Sequence, residues 1–179
     1  DTGLEVGAAD ITITLSTNAV VAKGSVSSVM QPAASRSGTG TGRTPALLSG
    51  DLPLFAAADG LEYDSDARRA TYTGHARLWQ GATDIRAEVV SLDEQRGDLN
   101  ASGGVTSTLA LGRAGATPAT GTIARAQDLV YDDGARTATY STGAHMSGPE
   151  GDLSADRIVL ALAPADRTLE RIEGYGSVV

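Results

Sequence analysis

None of the 179 residues is cysteine, which excludes a disulfide scaffold, a thiolate nucleophile and thiol-rich metal sites. The absence fits a bacterial periplasm as readily as a cytosol, so it does not fix a compartment. Aromatic residues make up only 4%. A core with so few large rings rests on Val, Ile and Leu, or is incompletely filled by the protein itself. Basic side chains are outnumbered, with 14 Lys and Arg against 22 Asp and Glu and a formal net charge of -8. A surface of that sign repels phosphate backbones, which argues against nucleic acid as a partner. No apolar run approaches the roughly 18 residues of a membrane-spanning helix. The chain opens on Asp1, with no Met and no signal segment; it reads as a mature form whose targeting segment lies outside it.

What the chain has is repetition. LEYDSDARRATY, Leu61 to Tyr72, returns as LVYDDGARTATY, Leu129 to Tyr140, with eight of twelve positions identical. The frame Ala-acidic-x-apolar-x-(Tyr/Leu), then a polar turn, then Gly, starts at Ala9, Ala58, Ala87, Ala126 and Ala155 and closes at Gly24, Gly74, Gly103, Gly143 and Gly174. The step from Ala58 to Ala87 is 29 residues, as is the step from Ala126 to Ala155. Units this short cannot bury their own apolar faces, so they must stack on one another.

The apolar period is two. Ala70, Tyr72, Gly74, Ala76 and Leu78 alternate with Thr71, Thr73, His75, Arg77 and Trp79, the pattern of a strand with one dry face. Ile11, Ile13 and Leu15 alternate with Thr12 and Thr14, and Leu99, Ala101, Gly103 and Val105 with Asn100, Ser102 and Gly104. Helix-period signals are absent, so the chain is predicted to be all-β. Turns at Asp64-Ser65-Asp66, Asp93 to Gly97, Asp132-Asp133-Gly134 and Pro164-Ala165-Asp166 make each unit a hairpin. The length suits one domain over residues 1–179. Two insertions, at about 31–51 and 111–120, are rich in small and polar residues and are expected to be mobile loops hung on one rim.

The segments ADGLEYDSDARRATYTGHARL, RAEVVSLDEQRGDLNASGGV, ARAQDLVYDDGARTATYSTGAHM and SADRIVLALAPADRTLERIEGYGSVV resemble the hairpin units of the LptA/OstA-like family of lipopolysaccharide-transport proteins. They cover most of Ala56 to Val179; ADITITLSTNAVVAKGSV matches less well. Where the family usually has Asn or Asp after the unit Gly, this chain has Gly74-His75, Gly103-Gly104, Gly143-Ala144 and Gly176-Ser177. These departures leave the member open between a bridge protein, the periplasmic part of an LptD-like translocon and a looser relative. The resemblance implies a twisted, taco-like antiparallel β-jelly roll, open along one edge, in the periplasm. It implies lipopolysaccharide acyl chains inside, LptC-like and LptD-like components as partners, and head-to-tail homo-oligomers formed by strand addition. The absence of Cys, the isolated His pair and the lack of a nucleophile motif predict no enzyme activity, and no cofactor is expected. The acyl chains are then expected against the dry-face residues Ile13, Leu15, Leu61, Tyr63, Tyr72, Leu78, Val89, Leu92, Leu99, Val105, Leu129, Tyr131, Tyr140, Met146, Ile158 and Leu160.

Other constellations have blander readings. The run Ser37 to Thr44 lacks the Lys and the strand-helix context of a phosphate loop, and reads as a flexible loop. His75 and His145 hold similar places in their units, but two His without a carboxylate pattern read as surface His rather than zinc ligands. Asp59, Glu88, Asp128 and Asp156 recur once per unit instead of clustering as calcium ligands do. The tyrosines pair across strands by default, and Trp79 falls on the wetter face. Two other functions compete with a lipid carrier: a structural β-solenoid or adhesin segment with a solid core, and a carbohydrate-active β-helix enzyme. The enzyme needs paired carboxylates on one face, and the carboxylates here lie mainly in turns. The first two differ in whether the interior is open or packed to ordinary core density.

Overall fold

The structure, a computed structural model, describes residues 4–32, 43–112, 121–148, 151–164 and 167–179. It is all-β. Short β1 (Leu4–Gly7) and β2 (Asp10–Thr14) precede β3 (Ala19–Met30), β4 (Leu54–Asp64), β5 (Arg69–Gln80) and β6 (Thr83–Asp93). Then come β7 (Asp98–Leu109), β8 (Thr122–Asp132), β9 (Thr137–Gly148), β10 (Gly151–Leu162) and β11 (Leu169–Tyr175). The strands form one open antiparallel sheet in chain order, with β1 and β2 sharing β3 as neighbour. Among the described residues no helix is long and apolar enough to cross a membrane.

The hairpin turns follow from their Asp residues. Asp64 Oδ1 accepts from the Asp66 and Ala67 amides, both at 2.9 Å, and Asp93 Oδ1 from those of Gln95 and Arg96, both at 3.0 Å. Each is an Asx turn that fixes where one strand stops and the next begins. Ala165 and Asp166 of the last expected turn lie outside the described residues.

A register shift crosses the middle of seven successive strand pairs, from β3–β4 to β9–β10. It marks a line of bulges. Its chemistry is the repeat itself. Gly24 and Ser25, Gly74 and His75, Gly103 and Gly104, and Thr142 and Gly143 all take positive φ, which is cheap for glycine. The acidic residue that opens each unit packs on the glycine that closes it: Asp59 over Gly74, Glu88 over Gly103 and Asp156 over Gly176. The glycine closing the last unit is therefore Gly176, at φ 88°, while Gly174 lies in the ladder opposite Ile158.

Because bulges bend a strand, this line divides the sheet into a lower and an upper wall. One lower row pairs Ala22, Leu61, Tyr72, Val90, Ala101, Leu129, Tyr140 and Ile158 across successive strands. An upper row pairs Ser28, Ala56, Leu78, Ile85, Ser107, Ala124, Met146 and Leu153. The walls face each other, as two hydroxyl pairs prove. Tyr72 meets Ser28 at 2.7 Å, although the β5 residue in register with Ser28 through β4 is Leu78, six positions on. In a straight strand those six residues would span about 20 Å. Tyr140 meets Ser107 at 2.7 Å in the same way.

The bend also corrects one sequence expectation. Inward residues keep period two along β5, but skip three positions at the bulges of β4, β6, β8 and β10, as from Ala87 to Val90. Val89 therefore faces outward, paired with the exposed Thr73 and Ser102, and Val90 takes the inward place.

Candidate functional site

The site is the trough between the walls. Of the sixteen residues expected on the dry face, thirteen are buried there together: Leu61, Tyr63, Tyr72, Leu78, Leu92, Leu99, Val105, Leu129, Tyr131, Tyr140, Met146, Ile158 and Leu160. Ile13 and Leu15 are not enclosed, at 62% and 85% exposed. Ile13 has the inward parity, opposite Val20, but β2 is the sheet's edge and among the described residues no further strand covers it. Leu15 lies past the strand in the turn. The N-terminal end of the trough therefore presents Ile11 and Ile13 to solvent.

Inside, the hydroxyls of Tyr72, Tyr131 and Tyr140 are paired, as burial demands. Burial pushes the Tyr72 hydroxyl up to about 12, the bond to Ser28 offsetting this in part. Burial likewise raises Tyr140, partly offset by Ser107. The Tyr131 hydroxyl donates to Asp133 Oδ1 at 3.3 Å. At the C-terminal end a cavity of about 290 Å³ remains, bordered by Met146, Leu153 and Ile172 with Thr122, Gly148 and Asp152.

Residues 43–52, expected to belong to a loop on one rim, instead cross the mouth of the trough. Leu47 and Leu48 are buried in the core cluster. At the lower rim the Arg43 guanidinium pairs with Asp133 at 2.6 Å and the Ala46 amide donates to the same carboxylate at 2.8 Å. The Arg43 amide also donates to the Glu94 carbonyl at 2.7 Å. At the upper rim the Ser49 amide donates to Gln80 Oε1 at 2.5 Å, and Gln80 Nε2 donates to the Ser49 and Leu52 carbonyls, both at 2.8 Å. A second tie joins the rims at a Gly112–Thr168 bridge, where the Gly112 amide donates to the Arg167 carbonyl at 3.0 Å and the Gly112 carbonyl accepts from the Leu169 amide at 2.9 Å. The rest of both insertions, 33–42 and 113–120, lies outside the described residues, as does most of the glycine-rich run at 37–44.

The remaining polar candidates lie apart from the trough. Exposed His75 bonds Asp59 Oδ2 at 2.9 Å, and that bond, then the charges of Asp59 and Glu88, raise its pKa. His145 is four strands away on β9, bonded to Ser154 at 2.8 Å. Among the described residues no group of three His, Cys, Asp or Glu is placed to hold a metal. Trp79 stacks on Phe55 across the outer face with ring centroids 5.6 Å apart, and the Arg77 guanidinium lies 4.8 Å above its ring. Sequence reading missed Ala22, Ile85, Val90, Leu47 and Leu48. The signal for the last two was present, since they are the only large apolar residues between Gln31 and Asp51.

Comparison with known proteins places this geometry. No curated protein matches the chain. Among solved structures it is similar to LptH from Pseudomonas aeruginosa, the LptA-homologous periplasmic component of the lipopolysaccharide transport device. The identity is 18% and the TM-score 0.53, over 71% of this chain and 94% of that one; at that identity the likeness speaks to fold, an open β-jelly roll. Residues 57–170 match the family described as LptA/(LptD N-terminal domain) LPS transport protein. That match spans well over half of the chain, which therefore belongs to the LptA/LptD N-terminal family of lipopolysaccharide transport proteins.

Proposed function

We propose that the chain is a periplasmic lipopolysaccharide-binding module that shields acyl chains between its two walls and passes them along by adding edge strands to neighbouring components. The carrying observation is the trough: two apolar half-sheets facing each other along eight strands, with uncovered apolar residues Ile11 and Ile13 at one end. Its partners are LptC-like and LptD-like proteins or further copies of itself, met through the edges at β2 and β11, which have one neighbour each. Unpaired edges are templates for strand addition. Family membership supports transport over catalysis. Acyl chains held this way need no dominant contact, because each buried methylene contributes about 0.8 kcal/mol.

The filled interior favours a second reading, a solid-core structural segment without a lipid ligand. Native mass spectrometry of the purified protein, with photo-crosslinkers at inward Tyr72 and outward Thr71, separates the two. Lipopolysaccharide bound and labelled from Tyr72 alone supports the carrier. Labelling from neither, with no bound lipid in the mass spectrum, favours the solid core.

A further inference from the structure

We infer that residues 43–52 are a latched strap lying where a lipid tail must pack, and that lipid loads only when the strap leaves. This rests on the lipid-carrying reading above and adds a gate to it.

Two features set the strap apart from the walls. It has no ladder with either one: its interior contribution is Leu47 and Leu48, side chains that fill the trough from its open side. Its attachments are polar and gathered at the two rims, with Asp133 and Glu94 at one and Gln80 at the other. Gln80 is itself informative. It continues the inward alternation of Ala76 and Leu78 on β5 and is 3% exposed, yet it is polar, and its bonds go to strap backbone at Ser49 and Leu52.

Such a segment is held but replaceable. When the strap swings out, its amides and carbonyls exchange protein partners for water, an exchange with a small net cost per bond. The wall area uncovered by Leu47 and Leu48 is apolar, and an acyl chain covers it again in kind. Lipid and strap therefore compete for the same surface, and apparent lipid affinity is lowered by the fraction of molecules that are latched. The rims supply the latch, and a partner or lipid headgroup arriving there would release it.

A covalent latch tests this, and the absence of native cysteine makes it clean. Ala46→Cys/Asp133→Cys places thiols on two residues already joined through the Ala46 backbone amide and the Asp133 carboxylate at 2.8 Å. The probe is fluorophore-labelled lipopolysaccharide, titrated into the oxidised and the reduced protein. The oxidised form is expected to bind at least about tenfold more weakly, with recovery on reduction. In the other direction, Gln80→Ala removes the upper latch and should tighten binding about 5- to 30-fold. Arg43→Ala, whose side chain is largely exposed, provides an opening variant with little risk to folding. In the unmodified protein, the Ala46 and Ser49 amides should lose hydrogen-exchange protection when lipopolysaccharide is added. Equal binding by oxidised and reduced forms, or strap amides that stay protected in the lipid-bound protein, overturns the strap alone. Absence of binding by every form, the opened variants included, overturns the carrier reading and the strap with it.

Discussion

Gly103 and Gly104 are adjacent in the β7 bulge, both left-handed at φ 85° and 79°, yet alanine should cost very different amounts at the two. A Cβ built on Gly104 meets nothing within 4 Å, whereas one on Gly103 would stand 2.5 Å from the Glu88 Cβ. Alanine at 104 therefore costs only the left-handed backbone, about 1–2 kcal/mol, partly recovered by a stiffer unfolded chain. Alanine at 103 costs that and adds a clash of the overpacking kind, about 1–3 kcal/mol more. Urea or thermal unfolding should show Gly103→Ala losing roughly two to three times as much as Gly104→Ala, at about 2–4 °C per kcal/mol for a chain of this size. The clashing atom is a Cβ, so the second-site behaviour is specific. Glu88→Ala keeps that atom and should not rescue Gly103→Ala, while Glu88→Gly removes it and should. Equal losses at the two glycines, or rescue by Glu88→Ala, would refute the packing account of the repeat's acidic residue.

Tyr140→Phe leaves the fully buried Ser107 hydroxyl without its partner across the trough and should destabilise by about 1–3 kcal/mol; adding Ser107→Ala should recover part of the loss in denaturant titration. Tyr72, raised to about 12 by burial against an unfolded value near 10, favours the neutral phenol in the fold. Its stabilisation is thus complete below about pH 10 and lost as pH rises from 10 through 12, and unfolding midpoints between pH 9 and 12 should fall together with the appearance of tyrosinate absorbance. Ile13→Asp on the uncovered edge should change stability by less than about 0.5 kcal/mol yet weaken binding of labelled lipopolysaccharide. Val105→Asp should abolish binding and stability together, because it buries an unpaired charge.

The all-β architecture, the hairpin order and most of the inward face were legible because period-two alternation and Asx turns are local signals. The inward set on β5 and β7 reads correctly straight through the bulge, since the two left-handed residues there restore parity. Val89 shows where alternation alone misleads. The repeat frame, Ala then acidic then any residue then apolar, already held the three-residue step from Ala87 to Val90, but its meaning depends on a bend that no single strand reveals. The strap was legible only in its two leucines, and for a different reason. Its composition is that of a loop, and the burial of Leu47 and Leu48 depends on two rims that lie far apart in sequence, at Gln80 and Asp133.

The line of bulges has a consequence for size. Since every hairpin bends at the same height, the trough's cross-section is set within one unit and its length by how many units there are. Strands about 4.8 Å apart make each hairpin an increment of nearly 10 Å. Duplicating the unit from Ala58 to Arg86, or removing it, would lengthen or shorten the passage by one such step while leaving its profile unchanged. The length of such a trough is thus set by counting hairpins, without redesigning its cross-section.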